Sequence, residues 1–284
     1  MDRTRSLLSD VANRLASTSD TPALDASVLI ARTVDKPRSW VMAHPELFLT
    51  AEQQTKLDES LSRLERGEPL PYVLGHWEFF GLEFDLTPDV LIPRPETELL
   101  VEKAIAWLQR HPHHRNIADI GTGSGAIAIS LAVNVPNLNI LATDISPEAL
   151  QVAKRNAKKH KVDNNIEFIE CDLLPKETIN VQPSMFNLIC ANLPYIPTKT
   201  LRRLPIFERE PTLALDGGDD GLEQFRRLLQ TVPKQLASGA LLLLEIEATL
   251  GGQTLQLAHQ QFPNAVITLH QDLTGRDRLL EIQS

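Results

Sequence analysis

The sequence predicts an α/β protein in which a small helical bundle precedes a mostly parallel, seven-stranded sheet with an antiparallel edge. Through residue 66, apolar residues recur at helical spacing and no convincing strand alternation is found. From residue 96 onward, apolar stretches of strand length alternate with helical stretches. Such alternation is typical of a parallel sheet that carries helices on both faces. The chain is therefore expected to divide near residue 75.

Three stretches before residue 68 have the periodicity of amphipathic helices. They are residues 7–16, 21–34 and 49–67. Thr21 is a candidate cap for the second helix, with Pro22 in its first turn. Thr50 is expected to cap the third helix, and Gly67 to end it. The apolar stripe of the third helix consists of Leu57, Leu61 and Leu64.

The segment between the two parts is rich in proline and aromatic residues. Within residues 68–95, alternation in the stretch HWEFFGLEFDL predicts a short hairpin, which we expect to act as a stiff connector. The predicted domains are therefore a helical domain at 1–75, a hairpin linker at 76–95 and an α/β domain at 96–284.

Seven strand candidates follow the connector. Five apolar stretches are separated by helical ones and predict the parallel part of the sheet. They are residues 116–121, 138–143, 165–170, 186–192 and 239–246. The tail, AVITLHQDLTGRDRLLEI, holds two strands joined by a polar turn and predicts the antiparallel edge.

Composition and charge limit the classes of function. Hydrophobic residues make up 42% of the 284 residues and charged residues 23%, which is ordinary for a globular protein. The net charge of −9 argues against a broad phosphate-binding surface. No apolar run is long enough to cross a membrane, and the first residues lack the apolar core of a signal peptide. A cytoplasmic location is the expectation.

Other chemistry-bearing residues carry weaker signals. Cys171 and Cys190 each end an apolar stretch, which predicts two buried thiols in a reducing compartment. The stretch HPHHR at 111–115 has no cysteine or carboxylate at ligand spacing, so we interpret it as a solvated connector and expect no metal. The basic run AKRNAKKHK at 153–161 is interpreted as the solvated face of a helix.

A glycine-rich loop follows the first parallel strand and opens a helix, in the stretch DIGTGSGAIAIS. Gly121, Gly123 and Gly125 lack Cβ atoms, so the backbone can turn sharply and approach a ligand. The N–H groups at the helix start attract a carboxylate or phosphate. The pattern also fits G-x-G-x-x-A, so a dinucleotide site stays open at this point.

Acidic residues end the next two strands. Asp144 ends the second strand, where a carboxylate can accept hydrogen bonds from ribose hydroxyls. Asp172 follows the third strand, where it can accept from an exocyclic adenine amine or simply cap a turn. The carboxyl ends of parallel strands lie at one edge of the sheet, where open α/β folds bind ligands. The sequence thus predicts a nucleoside site at this edge.

The fourth strand ends in ANLPYIP, residues 191–197. Together with DIGTGSGAIAI and ATDIS, the stretch ANLPY resembles the S-adenosylmethionine-dependent methyltransferases that act on amino or amide nitrogens. That resemblance implies a class I, Rossmann-like methyltransferase fold for residues 96–284. It also implies S-adenosylmethionine as the cofactor.

Longer stretches resemble one subfamily more specifically. GEPLPYVLGHWEFFGLEF, LIPRPETELLVEKAI and FEREPTLALDGGDDGLEQFRRLL are similar to the glutamine methyltransferases of peptide-chain release factors, the PrmC/HemK family. The resemblance covers about residues 1 to 284. One position departs from it, because Leu193 stands where the family has proline. The stretch NLPY is common in the rRNA adenine dimethyltransferases, which lack the PRPETE segment and are the runner-up.

The resemblance implies roles for individual residues. The Asn192 side-chain oxygen and the Leu193 carbonyl would accept from the NH₂ of a substrate glutamine, and Tyr195 would stack on its flat amide. The catalytic and substrate-contacting segment is then Asn192, Leu193, Pro194 and Tyr195. The cofactor-binding residues are Gly121, Thr122, Gly123, Ser124, Gly125, Asp144, Ile145, Asp172, Leu173 and Asn192. Arg94 and Glu96 would brace the site or the cofactor's carboxylate side, or form a structural ion pair.

The function expected from the resemblance is methyl transfer to the N5 amide nitrogen of the GGQ glutamine in release factors. The helical domain would recognise this protein partner, with no stable nucleic acid, no membrane and a monomeric enzyme. An rRNA or DNA adenine N6-methyltransferase is the first alternative, and the acidic balance speaks against it. A nicotinamide-dependent oxidoreductase is more distant, since ANLPY has no role there and no obvious proton donor is found. A binding module without catalysis would not need Asn192 beside a cofactor site.

Overall fold

The computed structural model describes residues 3–175 and 185–284. The chain forms two compact units that divide after His76. Each unit has its own buried apolar residues.

The first unit is helical. Its helices are α1 (Arg3–Leu15), α2 (Pro22–Thr33), α3 (Arg38–Ala43), α4 (Ala51–Glu65) and α5 (Leu70–Leu74). The predicted stripe Leu57, Leu61 and Leu64 of α4 is buried. The short helices α3 and α5 were not predicted. Proline starts α5, and first-turn prolines are tolerated there because those N–H groups have no partner inside the helix.

The two predicted caps have different outcomes. Thr50 accepts a hydrogen bond from the Gln53 N–H, and the Gln53 side chain returns to the Thr50 N–H, which completes a capping box. Thr21 occupies the N-cap position of α2, but its hydroxyl donates to the Asp25 carboxylate at 3.2 Å. Thr21 therefore stands at the predicted cap position, but its side chain makes no cap hydrogen bond, because the hydroxyl is turned toward the Asp25 carboxylate.

A hairpin of β1 (His76–Phe79) and β2 (Leu82–Asp85) lies where the alternation predicts it. Asn156 attaches the hairpin to the second unit. Its side-chain oxygen accepts from the Asp85 N–H at 2.8 Å, and its Nδ2 donates to the carbonyls of Asp85 at 3.1 Å and Ser124 at 2.9 Å. Asn156 is fully buried. The hairpin is thus packed as part of the second unit.

The second unit is a seven-stranded sheet in the order β5-β4-β3-β6-β7-β9-β8. Neighbouring strands are parallel from β5 to β7, and β9 is antiparallel to both β7 and β8. The strands are β3 (Asn116–Ile120), β4 (Asn139–Asp144), β5 (Ile166–Glu170), β6 (Phe186–Ala191), β7 (Leu236–Glu245), β8 (Val266–Gln271) and β9 (Asp277–Gln283). This confirms the predicted fold class and its antiparallel edge.

Helices connect the strands. They are α6 (Glu98–Arg110), α7 (Ala126–Asn134), α8 (Pro147–Lys159), α9 (Thr198–Leu201), α10 (Glu223–Thr231) and α11 (Gly251–Gln261). The run Leu241–Leu244 of β7 is buried at every position, so both of its faces are covered. The connections after β3 and β6 leave the middle of the sheet in opposite directions along the strand order. This switch point at the carboxyl ends is where open α/β sheets bind ligands.

The other sequence predictions can be located in the fold. Cys190 is buried, and burial raises the pKa of its thiol well above the ordinary value. Cys171 is only partly buried, so the prediction of two buried thiols is wrong for it. The rings of His111 and His114 stack near Trp107, and among the described residues no cluster could hold a metal ion. Within the same residues, no helix has the length and apolar character needed to span a bilayer.

We expect Asn156→Ala to destabilise the protein. The change leaves the Asp85 N–H and the Asp85 and Ser124 carbonyls without their buried partner, which should lower the free energy of unfolding by about 2–4 kcal/mol. Urea denaturation measures this difference. The matched control is Asn164→Ala at an exposed position, which should stay within about 0.5 kcal/mol of wild type. Equal effects of the two substitutions would contradict the role of Asn156.

Candidate functional site

A cavity of about 380 Å³ opens at the carboxyl edge of the parallel strands. This volume falls within the range of small-molecule sites, roughly 300–1,000 Å³. Nine of the predicted site residues line it: Gly121, Gly123, Asp144, Ile145, Asp172, Leu173, Asn192, Leu193 and Pro194. The structure therefore brings together residues that follow β3, β4, β5 and β6.

The glycine loop turns as its sequence predicts. Gly121, Gly123 and Gly125 have φ values of +70°, +54° and +84°, in the region that favours glycine. Thr122 is buried and donates to the Asp119 carboxylate at 2.6 Å, while the Ala128 N–H donates to the same oxygen at 3.1 Å. Burial raises the pKa of Asp119 to about 6, against the effect of these two hydrogen bonds.

Three residues predicted to bind the cofactor do not line the cavity. Thr122 and Ser124 are buried, and Gly125 precedes the first turn of α7, against Ala153. Their contacts shape the loop: Thr122 bonds Asp119, and the Ser124 carbonyl accepts from Asn156. The repeating glycine pattern predicted contact with the ligand for the whole loop, whereas only Gly121 and Gly123 of the five loop residues line the cavity.

Asp144 is held at the end of β4 by backbone donors. One carboxylate oxygen accepts from the Gly123 N–H at 2.8 Å and the other from the Ser146 N–H at 2.9 Å. Burial raises the pKa of Asp144, while these backbone hydrogen bonds act in the opposite direction. A carboxylate has about four lone-pair sites, so this one retains capacity for a ligand hydroxyl.

Asp172 lies on the cavity wall but is half exposed. Its carboxylate pairs with Arg227, which also lines the cavity and bonds Gln224. A pair this exposed contributes little to stability. Asp172 therefore stays accessible to a ligand donor, with Arg227 as a competing partner.

The segment that carries Asn192 is held by the stretch from Leu215 to Gly221. The Ile196 N–H donates to the Leu215 carbonyl at 3.0 Å, and the Gly217 N–H donates to the Ile196 carbonyl at 2.9 Å. A Cβ at Gly217 would lie 2.7 Å from the Tyr195 Cα, and one at Gly221 would lie 2.3 Å from the Tyr195 carbonyl oxygen. Only glycine permits this approach of two backbones. The family-like stretch LALDGGDDG thus supports the predicted catalytic segment.

A series of buried hydrogen bonds connects Asn192 to Thr97, Glu245 and Tyr195. Asn192 Nδ2 is 3.1 Å from Thr97 Oγ1, and Thr97 Oγ1 is 2.6 Å from Glu245 Oε2. The Tyr195 hydroxyl donates to the other Glu245 oxygen at 3.4 Å. Glu245 is 1% exposed, and burial raises its pKa to about 7. Burial, followed by the charge of Glu245, also raises the pKa of Tyr195.

Arg94 and Glu96 do not line the cavity. Arg94 Nη2 donates to Glu210 Oε1 at 2.6 Å, and the Ile92 N–H donates to Glu210 Oε2 at 3.1 Å. Glu210 is buried, whereas Glu96 is exposed. Arg94 therefore forms a structural ion pair, as the alternative allowed, but its partner is Glu210 and not Glu96. This pair joins the PRPETE segment to the REPTLALDGG segment.

Sequence reasoning missed several residues that support the site. They are Thr97, Glu210, Gly217, Gly221 and Glu245. Glu245 offers a signal that was available, because a lone acid directly after LLLL at the end of a buried strand is costly without a role. The partner of Glu245 comes from residue 97, and no local pattern reveals a contact across 148 positions.

Comparison with known proteins adds two matches to family models. Residues 112–269 match a model described as a methyltransferase domain, and residues 6–75 match a PrmC N-terminal domain. Among solved structures, a methyltransferase from Pyrococcus furiosus is similar with a TM-score of 0.50 at 16% identity, covering 82% of this chain and 98% of that one. The N-terminal domain of human METTL16 in complex with SAH has a TM-score of 0.50 at 20% identity, covering 72% and 76%. These structures support the fold alone.

Curated relatives match along most of the chain. A release factor glutamine methyltransferase from Coxiella burnetii is 38% identical over 273 residues, which is 95% of this chain and 95% of the relative. One from Moorella thermoacetica is 39% identical over 276 residues, 96% of each chain. At this identity and coverage, the chain belongs to the release factor glutamine methyltransferase family.

Proposed function

We propose that this protein transfers a methyl group from S-adenosylmethionine to the side-chain amide nitrogen, N5, of the glutamine in the GGQ motif of a peptide-chain release factor. The observation that supports this most is one cavity that combines Asp144 at the end of β4 with Asn192 after β6. The first residue suits a ribose, and the second suits an NH₂ group. Membership of the family supports the same reaction.

The residues at the cavity fit an adenosine cofactor. The Asp144 carboxylate accepts backbone N–H groups on both oxygens and, with about four lone-pair sites in all, can still accept from a ribose hydroxyl. Ile145 is 50% exposed and offers an apolar surface to a base. Asp172 can accept from the exocyclic amine of adenine. Gly121 and Gly123 let the backbone approach the amino-acid part of the cofactor.

When bound, S-adenosylmethionine supplies an electrophilic methyl group on a sulfonium. An amide nitrogen is a poor nucleophile because its lone pair is delocalised into the carbonyl. The Asn192 oxygen and the Leu193 carbonyl would accept from the two hydrogens of the substrate NH₂. These bonds position the nitrogen and stabilise the positive charge that develops on it.

Proton abstraction by a carboxylate is not part of this proposal. Glu245 does not line the cavity, and neither do Thr97 and the predicted site residue Tyr195. The hydroxyls of those two side chains donate hydrogen bonds to Glu245. The methylated amide nitrogen would lose its proton to water, and Tyr195 would stack on the amide plane of the substrate.

Leu193 fits the position at which the family has proline. The proposed role of this residue is to accept from the substrate NH₂ with its backbone carbonyl, and leucine and proline both have that carbonyl. Pro194 follows Leu193 and favours an extended backbone there. The Leu193 side chain is 4% exposed and packs into the core of the second unit, so it contributes to stability instead.

Further parts of the proposal concern partners and location. The first unit would recognise the release factor, and the second would bind cofactor and perform the transfer. The enzyme would act as a monomer in the cytoplasm, where release factors work, without stable binding to nucleic acid or membrane. The net charge of −9 supports the absence of a nucleic acid partner. Adenine methylation in RNA is the alternative that the stretch NLPY favours, and nicotinamide chemistry is the more distant one.

Asp144→Ala should weaken cofactor binding. Loss of hydrogen bonds to a charged group should cost about 1.5–3 kcal/mol of binding free energy. Titration calorimetry with S-adenosylmethionine and its demethylated product measures the change. Asp163→Ala, an exposed acid away from the cavity, is the control and should bind like wild type. Tight binding of NAD to the wild type, or unchanged affinity in Asp144→Ala, would refute the cofactor assignment.

Asn192→Ala should lower kcat by roughly 10²–10³-fold, the effect of removing one preorganised hydrogen-bonding group. Cofactor affinity should change less, because the amide faces the substrate. Leu193→Pro should keep most of the wild-type kcat, since it keeps the carbonyl. Peptide fragmentation should locate one methyl group on the glutamine of a Gly-Gly-Gln segment. Dimethyladenosine in RNA, with no modified protein, would favour the runner-up function.

A fragment that begins at Trp77 should separate recognition from chemistry. It should bind cofactor with an affinity close to that of the full chain, since the cavity-lining residues all lie after residue 77. It should methylate an intact release factor poorly. Calorimetry and a methyl-transfer assay with labelled cofactor measure the two properties. Full activity of the fragment on the intact partner would show that the first unit has no recognition role.

A further inference from the structure

The buried chain behind Asn192 offers a way to fix which end of its amide faces the cavity. Asn192 lies after β6 and Glu245 ends β7, so both reach the same edge of the sheet. Thr97, in a single helical turn at Pro95–Thr97, bridges them. Its hydroxyl oxygen lies 2.6 Å from Glu245 Oε2 and 3.1 Å from Asn192 Nδ2. Thr97 and Glu245 are both buried, so water does not compete for these bonds.

The number of hydrogens on these groups decides which of them donates and which accepts in each hydrogen bond. A threonine hydroxyl has one hydrogen, and an ionised carboxylate can only accept. With Glu245 ionised, the Thr97 hydrogen points to Glu245, and Thr97 Oγ1 can only accept from its other neighbour. Asn192 must then turn its NH₂ to Thr97. Its carbonyl oxygen is left for the cavity, which is the orientation that an NH₂ substrate requires.

Protonation of Glu245 permits the opposite arrangement, in which donors and acceptors exchange roles. The carboxylic acid can donate to Thr97 Oγ1, which frees the Thr97 hydrogen to point at Asn192. The amide is then satisfied by turning its oxygen to Thr97 and its NH₂ to the cavity. In that arrangement the Asn192 NH₂ faces the NH₂ of the substrate, and two donors cannot form a hydrogen bond. No covalent bond changes in this step, and only one proton on Glu245 differs between the two states.

We propose that Glu245 is a positioning residue which, through Thr97, holds the Asn192 carbonyl oxygen toward the substrate and releases it when Glu245 is protonated. The inference rests on the proposed function, because it assumes that Asn192 must accept from an NH₂ group. Glu245 also receives the Tyr195 hydroxyl at 3.4 Å, so one carboxylate positions both polar side chains of the catalytic segment.

The groups around Glu245 favour titration within the working range of an enzyme. Burial raises its pKa to about 7, and the charge of Glu96 acts in the same direction. The Thr97 and Tyr195 hydrogen bonds and the charge of Arg278 oppose this rise. Because the ionised form is the active one, kcat should fall as the pH decreases below about 7. It should be constant above that region.

Two substitutions at Thr97 test this relay, the hydrogen bonds from Glu245 through Thr97 to Asn192. Thr97→Val has a similar shape and no hydroxyl, so Asn192 loses its fixed partner and kcat should fall by up to about 10²-fold. Thr97→Ser keeps the hydroxyl and should restore most of the wild-type kcat. Cofactor affinity by calorimetry should be unchanged in both, because Thr97 does not line the cavity. Wild-type kcat in Thr97→Val would overturn the proposal.

The pH profile of kcat supplies a second test, because a purely structural role of Glu245 would leave the shape of this profile unchanged. It is measured at saturating cofactor and release factor, from about pH 5.5 to 9. Glu245→Gln has no proton that titrates in this range, so the fall of kcat at acid pH should disappear. Its amide has one acceptor oxygen for the hydroxyls of Thr97 and Tyr195, so kcat should be below the wild-type plateau at every pH. Glu96→Gln should shift the limb of the wild type to lower pH, because the charge of Glu96 raises the pKa of Glu245.

An acid limb that is identical in Glu245→Gln and wild type would overturn the proposal, even if Thr97→Val fails to fold. Failure of the proposed function is seen separately, in the wild type alone. If fragmentation finds no methylated glutamine in the release factor, that function fails before any variant is compared. If methylglutamine forms but the Thr97 and Glu245 variants behave like wild type, only the relay fails.

Discussion

The site depends on a carboxylate that has been taken out of water. Glu245 ends a strand whose preceding leucines are buried on both faces, so its charge can persist only if side chains supply the hydrogen bonds that water would give. Thr97 and Tyr195 supply them. Each of these two donors is thereby fixed in position. The cost of burying one acid is what orders the polar groups next to the cavity.

The sequence predicted the frame of the protein well because its signals are local. Apolar strand runs, the glycine loop and Asp144 lie within short windows, and parallel strands must bring their carboxyl ends to one edge. Residues that support the site escaped prediction because their partners are distant. The bond of Thr97 with Glu245 spans 148 positions and that of Arg94 with Glu210 spans 116. No periodicity encodes such pairs.

Thr21 shows a different limit of the sequence. A threonine before a helical stretch predicts a cap, yet its hydroxyl is attracted to the Asp25 carboxylate one turn later. Four positions after Thr50 the residue is Gln54 and not an acid, and Gln53 completes a capping box with Thr50. The same residue type at the same position therefore has two outcomes. The neighbours within one helical turn decide between them.

The ion pair of Arg94 and Glu210 constrains which substitutions its two segments can accept. Glu210 is buried and serves both the guanidinium of Arg94 and the Ile92 N–H, so neither segment can change its half of the contact without stranding a charge. We therefore expect substitutions at the two positions to be coupled. A chimera between relatives would have to inherit both segments from one parent to keep the ion pair.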